Sequence, residues 1–119
     1  MKNLLLPILC TLFLSACSPH PGTGKWKADG ENSLGIAKLT VAYEGKAVFT
    51  STKPDPAVWH CFWNAAEKQT VNLACTPSTD TEAEQHFVFS VQDDGIAELS
   101  RNGQRIGLFI RIEGNPAIQ

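Results

Sequence analysis

No apolar stretch in this chain of 119 residues is long enough to cross a membrane as a helix; the longest, residues 4–14, falls well short of the roughly 20 a span requires. Charge of one sign is missing as well. Ten Lys and Arg against twelve Asp and Glu leave a formal charge of −2 with the cations scattered, which gives nucleic acid no basic face to bind. Histidine is scarce, at three residues with no His-x-x-x-His pair, and none of the four cysteines stands at C-x-x-C spacing, so the common zinc frameworks are excluded. The signatures of catalysis are absent too. There is no Gly-x-Ser-x-Gly elbow and no glycine-rich phosphate loop, and Ser78 and Ser90 stand in no catalytic context. Asp29-Gly30-Glu31-Asn32-Ser33 offers oxygen ligands but no completing acidic residue for calcium. Asp93-Asp94 precedes Gly95, where acidic side chains serve a turn rather than acid and base work. Neither an enzyme nor a cofactor is therefore expected. No segment carries a sustained helical stripe with caps.

What is present begins at the N-terminus. Met1-Lys2-Asn3 leads into Leu4-Leu5-Leu6-Pro7-Ile8-Leu9-Cys10-Thr11-Leu12-Phe13, and the run closes on Leu14-Ser15-Ala16-Cys17. Positive start, apolar middle and small-residue end follow the order of a secretory signal. The last four residues resemble the lipobox of bacterial lipoproteins. The resemblance implies that residues 1–16 are removed, that the Cys17 thiol carries diacylglycerol, and that its new amino group is acylated. Two or three acyl chains hold a protein firmly to a bilayer, where one holds it only marginally. Ser18 stands where the inner-membrane retention signal has aspartate, so the resemblance further implies an outer-membrane anchor facing the periplasm. The simpler alternative is an ordinary secretory signal with an ordinary cysteine beyond it.

Ser18-Pro19-His20-Pro21-Gly22-Thr23-Gly24 is rich in Pro and Gly and has no periodicity, so residues 17–24 are expected to form a lipidated tether. Residues 25–119 then make a single domain. With Cys10 in the signal and Cys17 on the lipid, Cys61 and Cys75 remain as a pair in an exported chain, and a disulfide between them is predicted. A metal site shared with His60 or His86 is the rival reading.

From Lys25 onward, short runs rich in Val, Ile, Phe, Trp and Thr alternate with turn clusters, which predicts strands. Centring a hairpin on Asn102-Gly103 pairs Leu99 with Ile106 and Ala97 with Leu108. Centring on Asp94 pairs Val91 with Ala97 and Phe89 with Leu99, so Phe87, Phe89, Val91, Ala97, Leu99, Ile106, Leu108 and Ile110 should share one apolar face. Folding about Lys68 sets Cys61 against Cys75, Trp63 against Leu73 and Ala65 against Val71. Leu39, Val41 and Tyr43 alternate with polar or small residues before Glu44-Gly45-Lys46 turns the chain. The expected fold is all-β, a small antiparallel up-and-down barrel or folded sheet of about eight strands with one disulfide.

Gly24-Lys25-Trp26 at the head of the first strand is similar to the opening motif of the calycin group, which includes lipocalins. That resemblance implies that an arginine from the last strand, here Arg111, packs on Trp26, and that the barrel carries a small apolar ligand. The plainer reading is that Trp26 is a core aromatic closing one end. Two binding surfaces are expected. In Val58-Trp59-His60-Cys61-Phe62-Trp63 large side chains point both ways from one strand, with Trp59, Cys61 and Trp63 on the disulfide face and Val58, His60 and Phe62 on the other. The connection that follows Pro77 carries Asp80, Glu82 and Glu84, which suit a cationic protein partner. The candidate surface is thus Trp59, His60, Phe62, Trp63, Asp80, Glu82 and Glu84. The expected role is a non-catalytic module, membrane-bound through its N-terminal lipid, that binds an envelope protein as accessory or inhibitor. It resembles the lipoprotein inhibitors of lysozyme in lipobox, small barrel and disulfide, but lacks their Ser-Gly-rich inhibitory loop. A lipocalin-like carrier and a structural lipoprotein of a secretion or conjugation complex are the alternatives.

Overall fold

The computed structural model describes residues 19–118, so the expected signal, Cys17 and Ser18 lie outside the described residues. Alternation of β-branched and aromatic residues with polar ones sets eight strands: β1 Gly24–Ala28, β2 Lys38–Val41, β3 Lys46–Ser51, β4 Ala57–Glu67, β5 Thr70–Pro77, β6 Gln85–Val91, β7 Ala97–Arg101 and β8 Gln104–Ile112. Each pairs antiparallel with the next, and β8 returns to β1 with Trp26 opposite Arg111. The result is a closed up-and-down barrel, in which closure leaves no strand edge to pair with another chain. Cys61 and Cys75 face each other on β4 and β5 and form the expected disulfide, both residues being buried.

Two of the hairpins hold the register that their turns dictate. Phe89 faces Leu99 and Val91 faces Ala97; Trp63 faces Leu73 and Ala65 faces Val71. The β7–β8 hairpin departs from expectation part of the way along. Asn102 (φ 54°) and Gly103 (φ 77°) make its two-residue turn, with Arg101 opposite Gln104 and Ser100 opposite Arg105. A bulge then shifts the pairing by one residue, so that Leu99 faces Gly107 and Ala97 faces Phe109. Phe109 takes the core position, while Leu108 and Ile110, expected inside, are only half-buried. Tyr43 also leaves its expected alternation. The Ala42 amide already bonds the Lys46 carbonyl in the turn, and Tyr43 points into solvent.

The interior is filled by rings. Phe49 stacks on Trp59 at 5.6 Å, Phe87 meets both edge-on, and Phe89 stands edge-on to Trp26 at 5.1 Å. An eight-stranded barrel is just wide enough for side chains to fill it, and these do so while burying their polar ends with partners. The Trp26 indole donates to the Gly22 carbonyl at 3.1 Å and that of Trp59 to the Ser51 hydroxyl at 2.9 Å. Among the described residues, no buried side-chain nitrogen or oxygen lacks a partner.

Both mouths are stoppered by segments outside the strands. At one end the β1–β2 connection folds inward and buries Leu34 and Ile36. Asn32 holds it, accepting from the Ile36 amide at 2.8 Å and donating to the Ile36 carbonyl at 2.7 Å. Asn32 spends its polar atoms on the backbone, which accounts for its place in the oxygen-rich run after Asp29. The close fit depends on Gly107, since a Cβ there would lie 2.7 Å from that of Asn32. At the other end the plug is the N-terminal segment itself. Residues 20–24, expected to be part of a free tether, pack across the mouth, with Gly22, Thr23 and Gly24 all buried. The domain therefore starts earlier in the chain than composition suggests.

Candidate functional site

The strand directions sort the connections into two groups. The N-terminal segment, the β2–β3 turn, the β4–β5 turn and the β6–β7 turn share one mouth; the β1–β2, β3–β4, β5–β6 and β7–β8 connections share the other. The candidate residues consequently fall in three places rather than one.

The first is the mouth where the chain begins. Pro21-Gly22 forms a turn in which the Thr23 amide bonds the His20 carbonyl at 3.0 Å. The turn is clamped from both sides. Arg111 on β8 stacks its guanidinium on the Trp26 ring, 4.3 Å from the centroid, and donates to the Pro21 and Thr23 carbonyls. Its planar fork fits this double role, because one face covers the indole while the edge meets two acceptors. His20 ties the segment to the other wall: its Nδ1 accepts from the Gly22 amide at 2.9 Å, and its Nε2 stands 2.8 Å from the Glu67 carbonyl. These partners suit the neutral imidazole with its proton on Nε2. Trp63 lies beside His20, with ring centroids 6.0 Å apart, and donates its indole N–H to the Ala42 carbonyl at 2.7 Å. Pro19, His20, Thr23, Tyr43 and Trp63 together line a surface depression of about 400 Å³.

The second place is the outer face of β4. Phe62 is 70% exposed, and His60 stands exposed two residues away. Lys46 and Ile118, the last described residue, share a depression with them, so the segment after β8 reaches the edge of this face. Val58 and Val88 add further exposed apolar surface on β4 and β6. Trp59 does not belong here. The parity of β4 points it inward, and at 6% exposure it is a core residue, so the candidate surface loses it.

The third place is the β5–β6 connection at the far mouth. Asp80, Glu82 and Glu84 are all exposed there. The Asp80 carboxylate accepts from the Glu82 amide at 3.2 Å, and Glu84 lies 3.3 Å from His86 Nε2 on β6. Among the described residues, no three of His, Cys, Asp and Glu converge as metal ligands. The three places are thus an aromatic rim at one mouth, an exposed apolar face on β4 and an acidic connection at the other mouth.

Sequence reasoning did not bring Tyr43 and His20 to Trp63, nor Ile118 to His60. The Pro21-Gly22 dipeptide was a turn signal for the first. No local pattern announces the second. No protein-family model matches this chain, and comparisons with curated proteins and with solved structures also find no match.

Proposed function

We propose that the chain is a lipoprotein anchored at the outer membrane through Cys17, whose β domain is a non-catalytic module that binds another envelope protein as an accessory or inhibitor. The observation that carries the reading is the placement of residues 19–24 and of the acidic connection at opposite mouths of one closed barrel. A lipid attached close to the first mouth would leave Asp80, Glu82 and Glu84 directed away from the bilayer, where a cationic partner can reach them. The interior favours this reading over a carrier of small apolar ligands, because Trp26, Phe49, Trp59, Phe87, Phe89 and Phe109 already occupy it. The exposed Phe62, Val58 and Val88 give a second reading some support, that of a structural lipoprotein in a secretion or conjugation complex, since such a face suits assembly with neighbours.

Two measurements test the proposal. Metabolic labelling with a palmitate analogue should mark the wild type and not Cys17→Ala; equal labelling of the two would remove the anchor. Affinity capture from envelope extract should then recover a protein with the wild-type chain that is lost with Asp80→Lys, Glu82→Lys and Glu84→Lys combined. Recovery unchanged by the triple substitution would rule out the acidic connection as the binding surface.

A further inference from the structure

The mouth that holds residues 19–24 carries an exposed aromatic rim. Pro19 is the first described residue, and Cys17 is two residues before it. An extended chain spans at most about 3.6 Å per residue, so Cys17 lies within roughly 7 Å of Pro19 whatever path it takes. The intervening chain is too short to act as a spacer, because residues 20–24 are fixed to the barrel by Arg111, Trp26 and His20. A lipid on Cys17 would therefore be tethered within that reach of Pro19. The surface beside Pro19 is aromatic: Tyr43 is 58% exposed, Trp63 is half-buried, and His20 and Pro19 complete the rim.

Tyr and Trp place an apolar ring and a polar edge at the level of lipid headgroups, which is why they concentrate at membrane interfaces. Here the Trp63 indole N–H is already bonded to Ala42, while the Tyr43 hydroxyl belongs to an exposed side chain on a turn. Asp93 and Asp94 stand on the β6–β7 turn of this same mouth, where Asp93 lines a depression with Glu67 and Lys68, so the surface that suits a bilayer is the Tyr43, Trp63 and His20 side of the mouth and not the whole of it.

We propose that this rim is a membrane-contact surface: the barrel rests on the bilayer through Tyr43, Trp63 and the Pro19-His20 exit, with its opposite mouth directed outward. The proposal rests on lipidation of Cys17. It goes beyond that reading by giving the domain a fixed orientation instead of a free swing on a linker.

The test separates the two. Residues 19–118 contain the whole barrel, so the chain from Cys17 onward can be coupled through the Cys17 thiol to a maleimide lipid, with Cys61 and Cys75 held in their disulfide. Vesicles of phosphatidylethanolamine and phosphatidylglycerol doped with a brominated phosphatidylcholine then report which tryptophans approach the bilayer. Trp63 should lose emission, and the loss should disappear in Trp63→Phe. Tyr43→Trp should add a quenched emitter, whereas Thr81→Trp, on the connection at the far mouth, should add one that stays bright. Unquenched Trp63 on the coupled chain, or equal quenching at positions 43 and 81, would overturn the contact surface while leaving the anchor standing. Absence of palmitate label on Cys17 in cells would overturn the anchor, and with it the reason for a membrane neighbour.

Discussion

Replacing Arg111 should release the N-terminal plug. The side chain covers the Trp26 ring from 4.3 Å and bonds the carbonyls of Pro21 and Thr23, so one truncation removes a cation–π contact and two charge-assisted hydrogen bonds. A cation–π contact contributes about 0.5–2 kcal/mol depending on desolvation, and a hydrogen bond to a charged group about 1.5–3 kcal/mol. The guanidinium is solvent-facing on one side and the three interactions share one group, so they do not add in full, and the expected loss falls below the summed minimum of about 3.5 kcal/mol, at about 2–3 kcal/mol for Arg111→Ala. For a domain of this size each kcal/mol moves the melting temperature by about 4–8 °C, giving a fall of roughly 10 °C or more. Arg111→Lys keeps the charge but loses the fork and the flat face, and should fall between wild type and Arg111→Ala. Thermal melts give the first readout. Hydrogen exchange gives the second, because the Thr23 amide is protected only while the turn onto the His20 carbonyl is held. A melting temperature within about 2 °C of wild type, or Thr23 protection unchanged, would refute the idea that Arg111 fastens the segment.

Reduction of the Cys61–Cys75 bond, which closes a loop of 14 residues between β4 and β5, should lower the unfolding free energy by about 3 kcal/mol on the loop-closure model. Urea titration with and without a thiol reductant measures it, and a change below about 1 kcal/mol would contradict that account. Gly107→Ala brings a Cβ to 2.7 Å from that of Asn32, so the Asn32 bonds to Ile36 must loosen; a destabilisation of about 1–3 kcal/mol is expected, and a neutral result would mean that the far plug is not held by that fit. Phe62→Ser, at a residue 70% exposed, should leave stability within about 0.5 kcal/mol of wild type. A loss well above that would show Phe62 to be packed by the C-terminal segment rather than open to a partner.

The parts of the fold legible in the sequence are those set by period and turn chemistry. Alternation along a strand has period two, so a turn centred on Asp94 or Lys68 fixes both partner and face, and those pairs stand where the alternation puts them. The β7–β8 bulge breaks that logic, because one extra residue reverses the faces of everything beyond it. Gly107 was the clue, an isolated glycine within the apolar run from Ile106 to Ile110, where a bulge or a close backbone approach is the usual reason. Trp59 and Trp63 share a face by parity, yet one is core and the other lines the rim. What separates them is where the barrel ends, a property of eight strands together that no single strand encodes. The plugs were hidden for the same reason. Leu34 and Ile36 are too few to read as an element, and the proline and glycine before Trp26 read as a linker until Arg111 is folded back upon them.

The filled interior bears directly on whether such a domain can carry a ligand. A pocket for even a small drug-sized molecule needs about 300 Å³. Empty volume in a core costs about 24 cal/mol per Å³, so opening that much space here would cost roughly 7 kcal/mol, of the order of the whole stability of a small domain. Phe49 and Trp59 are stacked at an interplanar angle of 14° with Phe87 edge-on to both, and the segments that Asn32 and Arg111 hold lie across the two mouths. Titration with fatty acids should therefore give no saturable quenching of Trp26 or Trp59, measured in Trp63→Phe so that surface binding at the rim does not contribute. Saturable quenching in that variant would mean that the core opens at a far smaller cost than its packing implies, and would move recognition from the outside of the barrel to its interior.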